Sequence, residues 1–211
     1  MRSSLALAVG ITTVSLLSGV AGASFVQIQS NSPGSTDGLG KYVGSITYTA
    51  NTVTSGTLVI SLTNTNTPVE GGYITGVVFN IPGIDATANS ALASANPSGF
   101  LQLGPTASAS PYGTYEAGAA LGGSWLGGGS PNGGVGVGQT GTFTWTITAA
   151  DAGSLTANSF LVGGSSPAPL VRFKGFANGG SDKVPGQLIP TPGAGVLAGL
   201  AGLVAMRRRR R

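Results

Sequence analysis

Thr142-Phe-Thr-Trp-Thr-Ile-Thr148 alternates four threonines with three large apolar side chains, and this two-residue period constrains the fold more than any other feature of the chain. Successive side chains of a strand point to opposite faces, so Phe143, Trp145 and Ile147 share one face and the threonines the other. A helix, with a period of 3.6, would scatter the same residues around its circumference. The alternation recurs upstream. Residues 25–29 open with Phe25, Gln27 and Gln29 against Val26 and Ile28; residues 42–50 place Tyr42, Gly44, Ile46, Tyr48 and Ala50 on one face; residues 57–63 do the same with Leu58, Ile60 and Leu62. Residues 73–81 carry Tyr73, Val77, Phe79 and Ile81 on one side and Ile74 and Val78 on the other, the pattern of a strand covered on both faces. Residues 100–103, 160–162 and 170–176 read as shorter strands, separated by turn formers such as Asn64-Thr-Asn-Thr-Pro68 and Asn178-Gly-Gly180.

The middle of the chain is less regular. Its alanines make 84–95 the best helix candidate. Ten of the 21 residues from 118 to 138 are glycine, which predicts a mobile loop outside any sheet, because ordering glycine costs much backbone entropy and leaves few side chains to bury. Residues 149–152 read as one helical turn. The expected fold of residues 24–189 is therefore all-β: a single antiparallel β-sandwich of Ig-like or jelly-roll type. No cysteine is present, so burial and backbone hydrogen bonding must stabilise it without cross-links.

Both ends of the chain carry targeting patterns. Arg2 supplies a positive start, residues 5–20 are apolar or small, and Ala21-Gly22-Ala23 fits a signal-peptidase site, so residues 1–23 read as a signal peptide for the Sec export machinery and the mature chain begins at Ser24. The other end, residues 190–211, has three parts: Pro190-Thr191-Pro192, a 14-residue uncharged run from Gly193 to Met206, and Arg207, Arg208, Arg209, Arg210 and Arg211. As a helix that run reaches about 21 Å, short of a bilayer core of about 30 Å, and counting from Ile189 lengthens it only to marginal. The arginines resist crossing the bilayer and hold the C-terminus in the cytoplasm, with everything before Pro190 on the far side.

This order of Pro-x-Pro, a short Gly/Ala/Leu-rich segment and a terminal arginine cluster resembles the PEP-CTERM sorting signal of exosortase-processed bacterial surface proteins. Thr191 stands where that signal has glutamate, a variant form. The resemblance covers residues 189–211. It implies a transmembrane sorting helix in the inner membrane, cutting near Pro190-Thr191-Pro192 by an exosortase-like membrane transpeptidase, and delivery to the cell surface or extracellular matrix, in a setting of biofilm and exopolysaccharide.

Charge excludes one class of partner. The net charge of +4 depends on Arg2 and the five terminal arginines; between 24 and 189 four cations (Lys41, Arg172, Lys174, Lys183) face six anions (Asp37, Glu70, Asp85, Glu116, Asp151, Asp182), a net −2. No basic patch exists to neutralise phosphates, so no nucleic-acid partner is expected. With no histidine and no cysteine, Ser-His-Asp and Cys-His catalysis and ordinary zinc sites are excluded. No GxxxxGK[ST] phosphate loop occurs. The chain reads as a non-enzymatic protein without a cofactor.

The aromatic residues are the remaining candidates. Trp145 falls on a core face. Trp125, in Gly-Gly-Ser-Trp-Leu-Gly-Gly, is expected to tuck back with Leu126 and plug the open end of the core; with Tyr112 and Tyr115 it is also a candidate glycan contact, the mark of a carbohydrate-binding module for extracellular polysaccharide. Arg172 and Lys174 are expected on an exposed sheet edge, protecting it against unwanted pairing. Asp37 and Asp182 are the loop carboxylates open to calcium, without the spacing of a calcium loop. The reading favoured over the glycan module is an exported structural protein of the cell surface or matrix.

Overall fold

The computed structural model describes residues 22–83, 85–126, 130–162 and 166–189. The signal-peptide segment with Ala21, the sorting residues Pro190, Thr191 and Pro192 and the arginines 207–211 lie outside the described residues. Twelve strands follow in chain order: β1 (Ser24–Ser30), β2 (Tyr42–Ala50), β3 (Ser55–Asn64), β4 (Gly71–Phe79), β5 (Asn89–Asn96), β6 (Phe100–Leu103), β7 (Ala107–Ser108), β8 (Thr114–Tyr115), β9 (Ala117–Leu121), β10 (Thr140–Thr148), β11 (Leu170–Phe176) and β12 (Ser181–Leu188). One helical turn, α1 (Ser159–Val162), precedes β11.

Ten strands form one antiparallel sheet in the order β5-β10-β3-β2-β1-β12-β11-β4-β9-β6, while β7 and β8 pair apart from it. β12 joins the two arms: residues 181–185 pair with β11 and residues 186–188 with β1. The sheet curls until its terminal strands β5 and β6 approach each other. Gln102 spans this seam, its Oε1 accepting the Leu92 N–H at 2.7 Å and its Nε2 donating to Ser90 Oγ at 3.1 Å. The all-β antiparallel expectation holds. The two faces expected of a sandwich are arms of one continuous sheet, nearly closed like a barrel.

Apolar side chains from both arms fill the interior. Phe79 of β4 meets Trp145 of β10 edge-on with ring centroids 4.9 Å apart, and Phe100 of β6 meets Phe143 of β10 at 4.8 Å. The faces read from the alternation are the buried ones: Leu58, Ile60 and Leu62 on β3, and Phe143, Trp145 and Ile147 on β10. β4 is buried on both faces from Ile74 to Phe79. Each such side chain contributes roughly 1.5–3 kcal/mol through burial, which is how a body without disulfides holds together.

Three local expectations are corrected. The segment expected as a helix, 84–95, contains β5 instead: Leu92 lies opposite Trp145, and pairing along β10 overrides the helix preference of the alanines. Residues 160–162 are helical rather than extended, because one aromatic, Phe160, anchors the turn against Tyr48 and Phe79. β12, for which the alternation gave no expectation, is a full strand. The glycine-rich stretch is not a loop throughout. β9 lies inside the sheet between β4 and β6, and Val135 exchanges both backbone hydrogen bonds with Ile74. Glycine is needed there for close approach: a Cβ on Gly118 would stand 2.4 Å from Val77 O, and one on Gly134 the same distance from Ile74 O. Residues 127–129 of this stretch lie outside the described residues.

Candidate functional site

Trp125 is 4 % exposed and rests on β4, where a Cβ on Gly76 would come within 2.9 Å of its Cζ3. It is buried in the core cluster as expected, whereas Leu126, expected to tuck in with it, is 57 % exposed. Tyr115 is fully buried and its hydroxyl donates to Pro167 O at 2.6 Å. Tyr112, half-buried, donates to Gly34 O at 2.5 Å. The structure therefore does not gather Trp125, Tyr112 and Tyr115 into a stacking platform. Two of the rings are spent on the core, and the third ties its loop to the turn after β1.

Arg172 departs furthest from expectation. β11 is a central strand, between β4 and β12, and Arg172 is 8 % exposed. Its guanidinium donates to the carbonyls of Trp125 and Leu126, the latter at 3.1 Å, and so fixes the plug. Burial lowers its pKa, since desolvation disfavours the charged form. Lys174 is half-buried on the same central strand, so neither residue guards an exposed edge.

The carboxylates hold loops. Glu70 forms an ion pair with Lys41 at 2.5 Å and accepts the Thr67 N–H; the bond to Lys41, followed by those to Thr67, holds it down at about 2. Asp85 accepts from Thr87 and from the Ala150 N–H, and these bonds lower its pKa. Glu116 accepts the Ile81 N–H at 2.9 Å. Asp182 and Asp37 are brought together, but as donor and acceptor: the Asp182 carboxylate takes the Asp37, Leu39 and Gly40 N–H groups and the Thr36 hydroxyl. No group of three or more potential metal-ligating side chains occurs among the described residues.

The described residues form open clefts, including two lined in part by a tyrosine. One, about 390 Å³, lies beside Asn80, Ile81, Tyr115 and Glu116. Its polar atoms already serve the fold, with Asn80 Oδ1 accepting the Glu116 N–H at 3.2 Å and Glu116 closing onto Ile81. The other, about 580 Å³, is lined by Tyr73, Asn132, Gln139 and the backbone of Gly71, Gly72, Gly136 and Gly175, among other residues. Sequence reasoning passed over Tyr73 as one more core-strand residue. The available signal was Gly71-Gly72-Tyr73, an aromatic flanked by glycine much like Trp125.

Of the processing residues, Ala23 is exposed, and Ser24 opens β1 with its hydroxyl accepting the Ala157 N–H at 2.8 Å. No helix among the described residues is long and apolar enough to cross a membrane. Comparison with protein-family models, with curated proteins and with solved structures finds no match to this chain.

Proposed function

We propose that this chain is an exported structural protein of the cell surface or extracellular matrix, delivered by a removable C-terminal anchor of PEP-CTERM type. The observation that carries the reading is the pairing of the first and last strands. β1 and β12 are antiparallel neighbours, Ile28 stands opposite Leu188, and the Ile189 N–H donates to Gln27 O at 3.1 Å. The chain enters the body at Ser24, and β12 runs antiparallel to β1 toward that same end, its last described residue, Ile189, lying beside Gln27. This arrangement suits a body whose N-terminus has just been released at the membrane while its C-terminal anchor still lies in it.

The sandwich assignment belongs to the same proposal: two packed arms sharing β12 make a compact module, with the threonines of β10 on the outer face of one arm. Four of the six body carboxylates (Glu70, Asp85, Glu116 and Asp182) accept backbone N–H groups of loops, a use that supports a scaffold rather than acid–base catalysis. Intact-mass measurement of the protein from its native host tests the reading. The expected mass begins at Ser24 and lacks Arg207 to Arg211. A cell-associated protein that retains all five arginines would leave an uncut tail anchor and remove the exosortase step.

A further inference from the structure

We infer that the groove around Tyr73 binds a neutral saccharide, which goes beyond the structural role proposed above and does not depend on the sorting signal. No charged residue lines the groove. An ionic ligand entering it would lose hydration without gaining a partner, which is costly, whereas a neutral polyol would not. The walls do offer free polar atoms. The Asn132 side chain is exposed, and among the described residues neither it nor the Tyr73 hydroxyl has a hydrogen-bond partner. Gln139 Oε1 accepts the Gly136 N–H at 3.4 Å, and its Nε2 donates to none of the described residues. A side-chain amide presents a donor and an acceptor side by side, and neighbouring sugar hydroxyls need that combination.

The floor suits a flat ring. Tyr73 is half-buried between two glycines: a Cβ on Gly136 would lie 3.5 Å from its Cε1, and one on Gly175 3.5 Å from its Cδ2. Gly175 has φ +74°, a conformation that side chains rarely adopt. The two glycines therefore let the backbone approach the edges of the phenol, with Pro131 packed beside Gly175 and Gln139 beside Gly136. Such an aromatic body with a polar tip is the group that packs against the C–H face of a pyranose while hydrogen-bonding its rim. A volume of about 580 Å³ lies in the range of small-ligand sites.

Strand register places the groove away from the termini. Ser24 stands in the row Ser24–Tyr48–Leu58–Trp145, whereas Gln139 bonds to Asn64 and precedes the row Thr140–Thr63–Val43–Gln29, five residues along β1. In a body held by its C-terminal anchor, the groove lies toward the end of β1 away from Ser24.

The test is isothermal titration of the full-length chain in detergent micelles with cellohexaose, maltohexaose and mannohexaose, and with hexagalacturonate as the acidic comparison. At least one neutral hexasaccharide is expected to bind, Tyr73→Ala to weaken it about ten-fold or more, and Tyr73→Phe to retain most of it. Asn132→Ala, at a side chain without a hydrogen-bond partner among the described residues, is expected to weaken binding several-fold and decides the matter if Tyr73→Ala fails to fold. Absence of heat with all three neutral sugars, a preference for hexagalacturonate, or binding lost in Trp125→Ala but intact in Tyr73→Ala would overturn the inference. Its failure would leave the export proposal standing, because the mass measurement does not involve the groove.

Discussion

The Asp182 carboxylate accepts the backbone N–H of Gly40 at 2.8 Å from a position 142 residues further along the chain. The same oxygen, Oδ2, takes the Leu39 N–H at 2.7 Å, while Oδ1 takes the Asp37 N–H and the Thr36 hydroxyl. One buried side chain thus satisfies the loop that leads into β2. Asp182→Ala leaves these donors without an acceptor, and a cost of about 2–4 kcal/mol is expected, since each buried unsatisfied donor costs about 1–3 kcal/mol and water recovers part. Urea unfolding followed by tryptophan fluorescence measures it. A loss below about 0.5 kcal/mol would mean that the loop does not depend on Asp182.

Gln102 is the polar bridge across the seam between β5 and β6, where both edge strands would otherwise expose backbone groups. Gln102→Ala is expected to lower global stability by only about 1 kcal/mol, because the cores of both arms are untouched. Its larger effect is local. Amide exchange at Leu92 and its β5 neighbours should accelerate while the central strands β2 and β3 stay protected. Equal protection of β5 in variant and parent would show that the seam is held by packing alone.

Three tyrosines make the fold sensitive to alkali. Burial raises the pKa of Tyr42, whose hydroxyl has no partner, and of Tyr115. Burial, followed by the negative charge of Asp151, pushes Tyr48 up to about 12. Folded-state values above the unfolded value of about 10 mean that this stability is fully present below pH 10 and lost as pH rises toward 12 and beyond. Absorbance at 295 nm should therefore show these three phenols ionising in one cooperative step, together with loss of near-UV circular dichroism. Gradual ionisation of all five tyrosines centred near pH 10, with the fold intact, would contradict it.

The strands of the core were legible because their alternation reports a half-buried face directly; β2, β3 and β10 lie where Ile46, Leu58 and Trp145 put them. β5 was not, because Ala91, Ala93 and Ala95 carry no β preference and are extended only through the partner strand β10. Arg172 was misread for a related reason. A strand's place at an edge or centre is a property of the pairing order, and nothing in Leu170-Val-Arg-Phe-Lys-Gly-Phe176 encodes that order. The Tyr73 groove was invisible because it is assembled from the start of β4, the end of β11 and the turn before β10, which meet only in the folded sheet.

The glycines of residues 118–138 were legible as a count and misleading as a meaning, and their individual roles can be separated. Gly118 lies in β9, paired on one side to β4 and on the other to β6; a Cβ there would stand 2.4 Å from Val77 O and 2.7 Å from Val78 Cγ1. Backbone cannot rotate out of the way as a side chain can, so Gly118→Ala must push the strands apart. A loss of about 1–3 kcal/mol is expected, the usual cost of overpacking. Gly104→Ala is the control: its Cβ meets nothing within 4 Å and its φ is not positive, so removing backbone freedom from the unfolded chain should leave stability unchanged or raise it slightly. Thermal unfolding of both variants beside the parent reads the difference. If Gly118→Ala melts with the parent, β9 is held more loosely than its pairing indicates, and the segment is closer to the mobile loop that its composition suggests.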